Sequence, residues 1–592
     1  MVLIASASIM MFIGGRLPSF ANFDTNMMKK KLITSALPYI NGVKHLGNLV
    51  GSILPADIFA RYSRQQGETV LFICGTDEHG APAELGAAAS GMSIEAYCQH
   101  NHQLQKDIYQ AFNISFDHFG RTSSPANHRL TQRVFAAIDQ HGFIFSDTLQ
   151  QFYSVDDKRF LPDRYIEGTC PLCGFPDARG DQCDGCGALL NPSELRCPRS
   201  AISPGSALQL MESRHLFLDL AKLEPAVRSW LDSHPHWPAT VRGIARKWLQ
   251  EGLRPRCITR DLAWGIGVPK AGFEDKVFYV WFDAPLGYIS MTQEWAAAQG
   301  RPECWRDWWQ RPEEVELVQF MAKDNVPFHT VFWPAMMIAT AETWTLPTFI
   351  KGVNWLTYEG DKFSTSRQRG VFTGEALTLF PADYWRYTLF CMMPETSDTD
   401  FSFSAMAQII NKDLADNLGN FINRLVTLIV SNFNGALPAG YSPDPALNQA
   451  LSQDVSEYEH HMRQLEYRKA GVAMRRMWTR GNEYITHQQP WRQVKTDPLA
   501  SAQVLKNCLG LLWVYSCVLA PVAPGIAERI RAILPVDGAR WPSAKAALQQ
   551  DWLQPVLAIT SPAETLIRKI SEGEVEALTQ RFAGKTPPPA DL

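Results

Sequence analysis

Three groups of residues in this chain have types and spacings that suit chemistry. The first is His45-Leu46-Gly47-Asn48, which follows an apolar run from Leu32 to Thr34 and a turn containing Pro38 and Gly42. After it, Leu49, Val50, Ile53, Leu54, Ile58 and Phe59 recur at roughly helical spacing. A strand, turn and helix in this order set backbone N–H groups and His45 at a helix N-terminus, where phosphate binds readily. Gly47 lets a ligand approach that helix backbone closely. Alone the signal is weak; it gains meaning beside a distant lysine loop, Lys362-Phe363-Ser364-Thr365-Ser366.

The second group closes the apolar run Thr69 to Gly75 with Thr76-Asp77-Glu78-His79-Gly80. Continuous apolar runs fit a strand buried on both faces of a parallel sheet. Ligands of such sheets bind beyond the carboxyl ends of the strands, where Asp77 and His79 fall. Taken alone, the same residues read equally well as a polar loop capping the next helix. The third group is Cys170-Pro171-Leu172-Cys173 and, after nine intervening residues, Cys183-Asp184-Gly185-Cys186. Two CxxC pairs match a tetrahedral four-thiolate zinc knuckle, whereas a redox site needs only one pair. Such a zinc is structural and replaces a hydrophobic core that residues 152–197 cannot build. Cys197 is off the spacing and reads as a bystander.

The elements that must position these groups follow from the patterning. Apolar strand patterns recur at Lys276 to Asp283, Val315 to Ala322 and Thr348 to Thr357, and Phe328 to Ala339 reads as a helix. The chain therefore reads as one α/β domain, split by the cysteine-bearing insertion, whose halves give strand ends to one cleft. Beyond residue 400, Ser404 to Val430, Leu447 to His487 and Ala502 to Leu534 read as long amphipathic helices, a bundle outside the sheet. No internal repeat is visible, and the Pro-rich stretch Thr586 to Leu592 reads as disordered.

Composition sets the outer limits. The 592 residues exceed one domain, and 46% hydrophobic with 20% charged residues is a globular balance. A net charge of −4 neither advertises nucleic-acid binding nor excludes a local basic stripe. No segment reads as a membrane span, and the apolar stretch Val2 to Gly14 lacks the length of one and the basic flank of a secretory signal. Residues 1–26 read as a disordered extension or a start assigned too early. Twelve cysteines without a secretory signal point to a reducing compartment, hence a cytoplasmic location.

With its parts in order, the chain resembles the methionyl-tRNA synthetases, a family of the class I aminoacyl-tRNA synthetases. The likeness covers roughly residues 30–535. It rests on ALPYINGVKHLGN (36–48), GTDEHG (75–80), the double CxxC, TRD (259–261), YVWFDAPLGY (279–288), AKDNVPFHTVFWPA (322–335), KFSTS (362–366) and QPW (489–491). The resemblance implies a Rossmann-like parallel-sheet catalytic domain, with halves at 27–145 and 256–400 and a connective insertion at 146–255. An anticodon-binding helical domain at 401–550 and a tail at 551–592 with at most one helix follow, and a monomer is expected.

The implied activity is formation of methionyl-adenylate from L-methionine and Mg-ATP, then transfer to the 3′ end of tRNA(Met). His45 and Lys362 would act on the phosphates, with Asn41, Gly47, Asn48, Lys323 and Asp324 also at ATP. Asp77 would pair with the methionine ammonium. Leu37, Tyr39, Trp281, Ala284, Pro285, Tyr288, His329, Phe332 and Trp333 would surround its side chain, aromatic walls being suited to a polarizable sulfur. For Phe332, plain core packing is the competing reading. Arg260 would approach the carboxylate or the phosphates. Asn420, Arg424, Pro490 and Trp491 would read the anticodon, Trp491 as a stacking platform; without the resemblance it reads as bundle core.

Two positions depart from the family motifs. Asn48 stands where a histidine is usual, and Thr365 where the loop usually has its second lysine. Arg367 and Arg369 are candidate substitutes, against the favoured reading of both as ordinary loop charges. Rival readings are another class I synthetase, disfavoured by the short insertion, and a tRNA-binding paralogue without charging activity. A nucleotide-binding dehydrogenase fails because Gly265-Ile266-Gly267 lacks a third glycine.

Overall fold

Two buried strands define the catalytic region: β1 (Lys30–Ser35) and β2 (Val70–Thr76), paired in parallel with Lys31 opposite Val70. Alternate side chains of a strand point to opposite faces. Accordingly, Ile33, Phe72 and Cys74 enter one hydrophobic core while Leu32, Leu71 and Ile73 enter another. The sheet is completed by β3 (His118–Arg121), β4 (Val315–Ala322) and β5 (Phe349–Val353), in the order β5-β4-β1-β2-β3 with every pairing parallel. The order reverses at β1, so a crevice opens beyond the carboxyl ends of β1 and β4, the usual seat of ligands in such sheets. The computed structural model describes residues 29–180, 183, 185–186, 190–203, 205–364, 368–536, 538, 540–549, 551–560 and 566–584. The readings of residues 1–26 and 586–592, and of Thr365 and Arg367, lie outside these.

The insertion is an antiparallel ribbon of Ile144–Ser154 and Leu208–Leu218 with a small three-stranded sheet at its tip. That tip has a modest core of its own, built around Leu161, Tyr165 and Ile166 and including Cys170 and Cys183.

Past the sheet, Phe403–Ile409 and a wide π-helical stretch, Ile410–Gly419, run on into α1 (Asn420–Phe433). Helix Pro445–Arg463, α2 (Tyr467–Gln488) and α3 (Pro498–Leu519) complete the bundle. Helix α3 is long and apolar enough to cross a membrane, which the sequence reading did not anticipate, but 89% of its apolar window is buried. The bundle is not a separate body, since one core runs from Phe72 on the sheet to Trp478 on α2. A fully buried ion pair of the catalytic region is also fastened to the bundle, through Pro521 and Val522. Arg386 reaches Asp57 at 2.6 Å and also donates to Phe112 O, Pro521 O and Val522 O, all within 3.1 Å. Burial alone would raise the Asp57 pKa, but Arg61, Arg386 and Ser115 hold it down to about 2. Last comes α4 (Glu572–Arg581), after which the chain returns to the catalytic region, Phe582 O accepting from Gly370 N–H at 3.1 Å.

Four expectations need correction. Lys276 to Asp283 is not a strand; only Val277–Phe278 pairs, and Val280–Asp283 is a helical turn. A continuous apolar run buries equally well in either form. Trp281 therefore sits on a helix and not at a strand end. Thr348 to Thr357 holds two strands, β5 and Leu356–Tyr358; Leu447 to His487 is two helices broken at Gln464–Glu466, and Ala502 to Leu534 is two, Pro498–Leu519 and Pro524–Arg531. Pro490 and Trp491 open a short helix, Pro490–Gln493, after a left-handed turn at Gln489.

Candidate active site and anticodon surface

The crevice is assembled by backbone pairing between remote segments. Beyond the strands, Asp77 N–H donates to Pro38 O and Ile40 N–H donates to Asp77 O, both at 2.9 Å, which brings Asp77 beside Tyr39. Leu46 N–H donates to Val371 O at 3.2 Å and Thr373 N–H to Lys44 O at 2.8 Å. The HLGN turn is thus bound to the segment that follows the lysine loop. One helix N–H is thereby used, so anion binding here depends more on the His45 ring than on open backbone donors.

His45 stacks on Phe363 of the loop, ring centres 4.7 Å apart, and its Nδ1 is buried without a hydrogen-bond partner. Burial, then the charge of Lys44, pushes its pKa down to about 4, so the ring is neutral. Gly47 is required in its place: a Cβ there would lie 2.9 Å from the His45 ring. Asn48 caps its own turn, Oδ1 accepting from His45 N–H at 3.2 Å. Asn41 Oδ1 accepts from Lys44 Nζ at 2.7 Å.

Among the residues expected at the amino acid, Asp77 is buried, with Oδ1 lacking any partner. Burial, then Asp283 and Glu78, raise its pKa well above the ordinary range, with His79 N–H and Lys44 opposing. An entering ammonium would restore its charge. Tyr288 and His329 are linked at 3.0 Å through the hydroxyl and Nε2. His329 Nδ1 meets Asn325 O, and burial lowers its pKa to about 4, leaving it neutral. Ala284 and Pro285 are buried beside them, Leu37 is half-buried and Tyr39 lies at the surface, 40% exposed. Trp333 stands behind Tyr288, edge-on at 6.4 Å, and Phe332 is core, as its competing reading holds. Trp281 lies flat on Phe328 with ring centres 3.5 Å apart. Arg260 lies over the Tyr279 ring at 4.0 Å and donates to Thr259 O.

Sequence reasoning missed several of these partners. Phe328 was visible only as part of a helix. Asp283, hydrogen-bonded to His79 at 2.5 Å with its other oxygen unpartnered, stood out only as a lone carboxylate in an apolar run. Trp355 gathers the remaining ATP candidates: Lys323 and Lys362 lie over its ring at 4.2 and 5.5 Å, and its Nε1 donates to Asp324. Asp398 holds Lys323 at 2.7 Å. Lys362 Nζ also lies 3.5 Å from Gly185 O in the cysteine knuckle. Arg369 does not point to a free role as a substitute cation. It donates to Tyr358 O, Glu359 O and Ala583 O, tying the loop to the end of α4.

The four knuckle sulfurs lie within 4.8 Å of one another, and Cys197 is outside the group. Cys170 to Cys186 is 3.9 Å and Cys173 to Cys183 is 3.6 Å. Tetrahedral thiolates around zinc stand about 3.8 Å apart, so the set can hold a metal ion.

On the bundle, α1 and the π-helical stretch before it are joined to α2 by a polar ladder of constant offset. Asn417 meets Thr479 at 3.0 Å, Asn420 meets Asn482 at 3.1 Å and Arg424 meets Thr486 at 3.1 Å. The ladder floors an open cavity of about 400 Å³, and Arg424 also lies 5.7 Å over the half-buried Trp491 ring. Pro490 is buried, its carbonyl accepting from Ser501.

Comparison with known proteins agrees with this geometry. The model for tRNA synthetases class I (M) matches residues 31–426, and that for the anticodon binding domain of methionyl tRNA ligase matches 438–587. A methionine–tRNA ligase of Caulobacter sp. (strain K31) is 48% identical, covering 94% of this chain and 100% of its own. Methionine–tRNA ligase 1 of Acaryochloris marina is 47% identical with the same coverage. A solved methionyl-tRNA synthetase of Mycobacterium tuberculosis, in complex with methionyl-adenylate, superposes with a TM-score of 0.73 at 25% identity, covering 91% of this chain and all of its own. Two family models in chain order and near-half identity over almost the whole length leave one conclusion: the chain belongs to the methionyl-tRNA synthetase family of class I aminoacyl-tRNA synthetases.

Proposed function

We propose that the chain activates L-methionine with Mg-ATP and passes the methionyl group from the adenylate to tRNA(Met), acting as a monomer in the cytoplasm. The observation that carries this reading is the buried, unpartnered Asp77 Oδ1 beside the Tyr288–His329 pair. A buried carboxylate oxygen without a partner is costly unless a ligand completes it, and an amino acid's ammonium does so. Neutral His329 and the aromatic rings of Trp281 and Tyr288 suit a thioether and exclude a charged side chain. His45, held neutral, donates a hydrogen bond to the phosphates, with Asn41, Gly47 and Asn48 along the same turn. Lys362 closes on the pyrophosphate side, and Lys323 and Asp324 near Trp355 take the ribose and phosphate groups. Arg260 lies on the route to the substrate carboxylate.

Cys170, Cys173, Cys183 and Cys186 hold one structural zinc in this reading, supported by their thiolate spacing. Asn420, Arg424, Pro490 and Trp491 form the anticodon surface. The catalytic halves are residues 27–145 and 256–400, with the insertion at 146–255 and the anticodon domain at 401–550. Methionine-dependent ATP–pyrophosphate exchange tests the activity, and no exchange with methionine would sink it. Zinc content should fall in Cys170→Ser; unchanged metal would remove the four-thiolate assignment.

A further inference from the structure

The loop at 362–366 carries one lysine where the family pattern has two. The charge that collects on departing pyrophosphate must still be met by fixed positive charge. Arg369 is engaged with three carbonyl oxygens, and Lys362 is exposed over Trp355.

Lys44 is placed differently. It precedes His45, is only 9% exposed, and its Nζ donates to Asn41 Oδ1 at 2.7 Å. Among the described residues no carboxylate lies within ion-pair distance of it, although Asp77 is near enough to act on it electrostatically. A buried ammonium held only by Asn41, through Oδ1 and more distantly its main-chain O at 3.5 Å, is expensive. The atoms around it are also incomplete, since His45 Nδ1 and Asp77 Oδ1 are buried without partners. Its main chain is fixed to the lysine loop's continuation, for Lys44 O accepts from both the N–H and the Oγ1 of Thr373 at 2.8 Å. Burial holds the ammonium down to about 7, with Asp77 opposing in part, so an entering anion draws out its full charge.

We infer that Lys44 is a phosphate-binding residue of the activation step and supplies the cation that the loop lacks at Thr365. In that step a methionine carboxylate oxygen bonds to the α-phosphorus. The bond from that phosphorus to the bridging oxygen breaks, and pyrophosphate leaves with the electron pair. Lys44 exchanges Asn41 Oδ1 for an oxygen of the leaving pyrophosphate. This deepens the reading given under Proposed function and rests on it.

The test compares wild type with Lys44→Met and Lys44→Arg in methionine-dependent exchange. Methionine affinity is followed separately by tryptophan fluorescence, and folding by thermal melting. Lys44→Met is expected to cut exchange about a hundredfold, with methionine affinity changed no more than a few-fold. Adding Thr365→Lys to Lys44→Met should recover much of the loss. Near-wild-type exchange in Lys44→Met overturns the inference, as does a double variant no better than the single one. A fall in methionine affinity that matches the fall in exchange also overturns it, because Lys44 would then be only a counter-ion for Asp77. If Lys44→Met unfolds, Lys44→Arg carries the test: its KM for pyrophosphate should shift while methionine affinity holds, and an unchanged KM overturns the inference. Wild type without methionine-dependent exchange is a distinct failure, that of the underlying function.

Discussion

The crevice beyond β1 and β4 and the ladder along α2 handle polar groups in opposite ways. In the crevice, His45 Nδ1, Asp77 Oδ1 and Asp283 Oδ1 are buried and unpartnered. On the bundle, Asn417, Asn420 and Arg424 are each hydrogen-bonded to a residue 62 positions later, under an open cavity. The difference matches the ligands proposed for each. A small ligand enclosed by protein repays buried unsatisfied groups only by filling them. RNA bases read at a wet surface are met by side chains already held in one orientation, which saves ordering cost on binding.

The two regions are distinct in chemistry but joined in one core, and breaking that joint should have the largest effect. Arg386→Met leaves Asp57 to Arg61 and Ser115 and removes the bonds to Pro521 O and Val522 O, a loss of about 3 kcal/mol. It should lower the denaturant midpoint of one cooperative transition; two separate transitions would mean that the regions fold independently. The acid limb sharpens this. A carboxylate held at about 2 adds stability that is complete above its ordinary pKa and is lost as pH falls toward 2. In Arg386→Met the folded-state pKa of Asp57 rises toward the ordinary value, so the loss over this range should be smaller and should end at higher pH.

Next is the crevice itself. Asp77→Asn keeps the shape and removes the charge, and should cost about 3 kcal/mol of methionine binding, a loss exceeding a hundredfold. It should act on adenylate formation before tRNA is involved. Methionine affinity within a few-fold of wild type would show that the unpartnered oxygen is not the ammonium seat.

These two sites differ in how far the sequence discloses them. Asp77 ends a seven-residue apolar run, so a local pattern places it at a strand end. The knuckle is legible for the same reason, its ligands lying within seventeen residues of chain. Asp57 and Arg386 are ordinary charged residues 329 positions apart, and nothing local reveals that both are buried. The run from Lys276 to Asp283 failed for another reason: complete burial erases the alternation that distinguishes strand from helix. Residues 62 apart on two helices share no local pattern either, which is why Asn482 and Thr486 were not seen beside Asn420 and Arg424.

On the bundle, Trp491→Ala removes a stacking surface worth about 1–3 kcal/mol per base. Aminoacylation should fall far more than methionine-dependent exchange, through KM for tRNA. Equal losses in the two assays would remove the anticodon role and return Trp491 to core packing.

The smallest effect is the one most specific to the ladder. Asn482 accepts from Asn420 Nδ2 and donates to Asn417 Oδ1 at 3.0 Å, so it fixes which face of the Asn420 amide is turned outward. Asn482→Ala should cost about 1 kcal/mol, too little to unfold the bundle. The loss should appear as a few-fold rise in KM for tRNA and weaker discrimination against altered anticodons, with adenylate formation at wild-type rate. Asn482→Asp keeps the acceptor for Asn420 while losing the donor to Asn417, and should retain most of the discrimination. If both variants discriminate as wild type does, Asn420 is oriented by the RNA on arrival, and the contrast between a prepared bundle surface and an unfilled crevice does not hold.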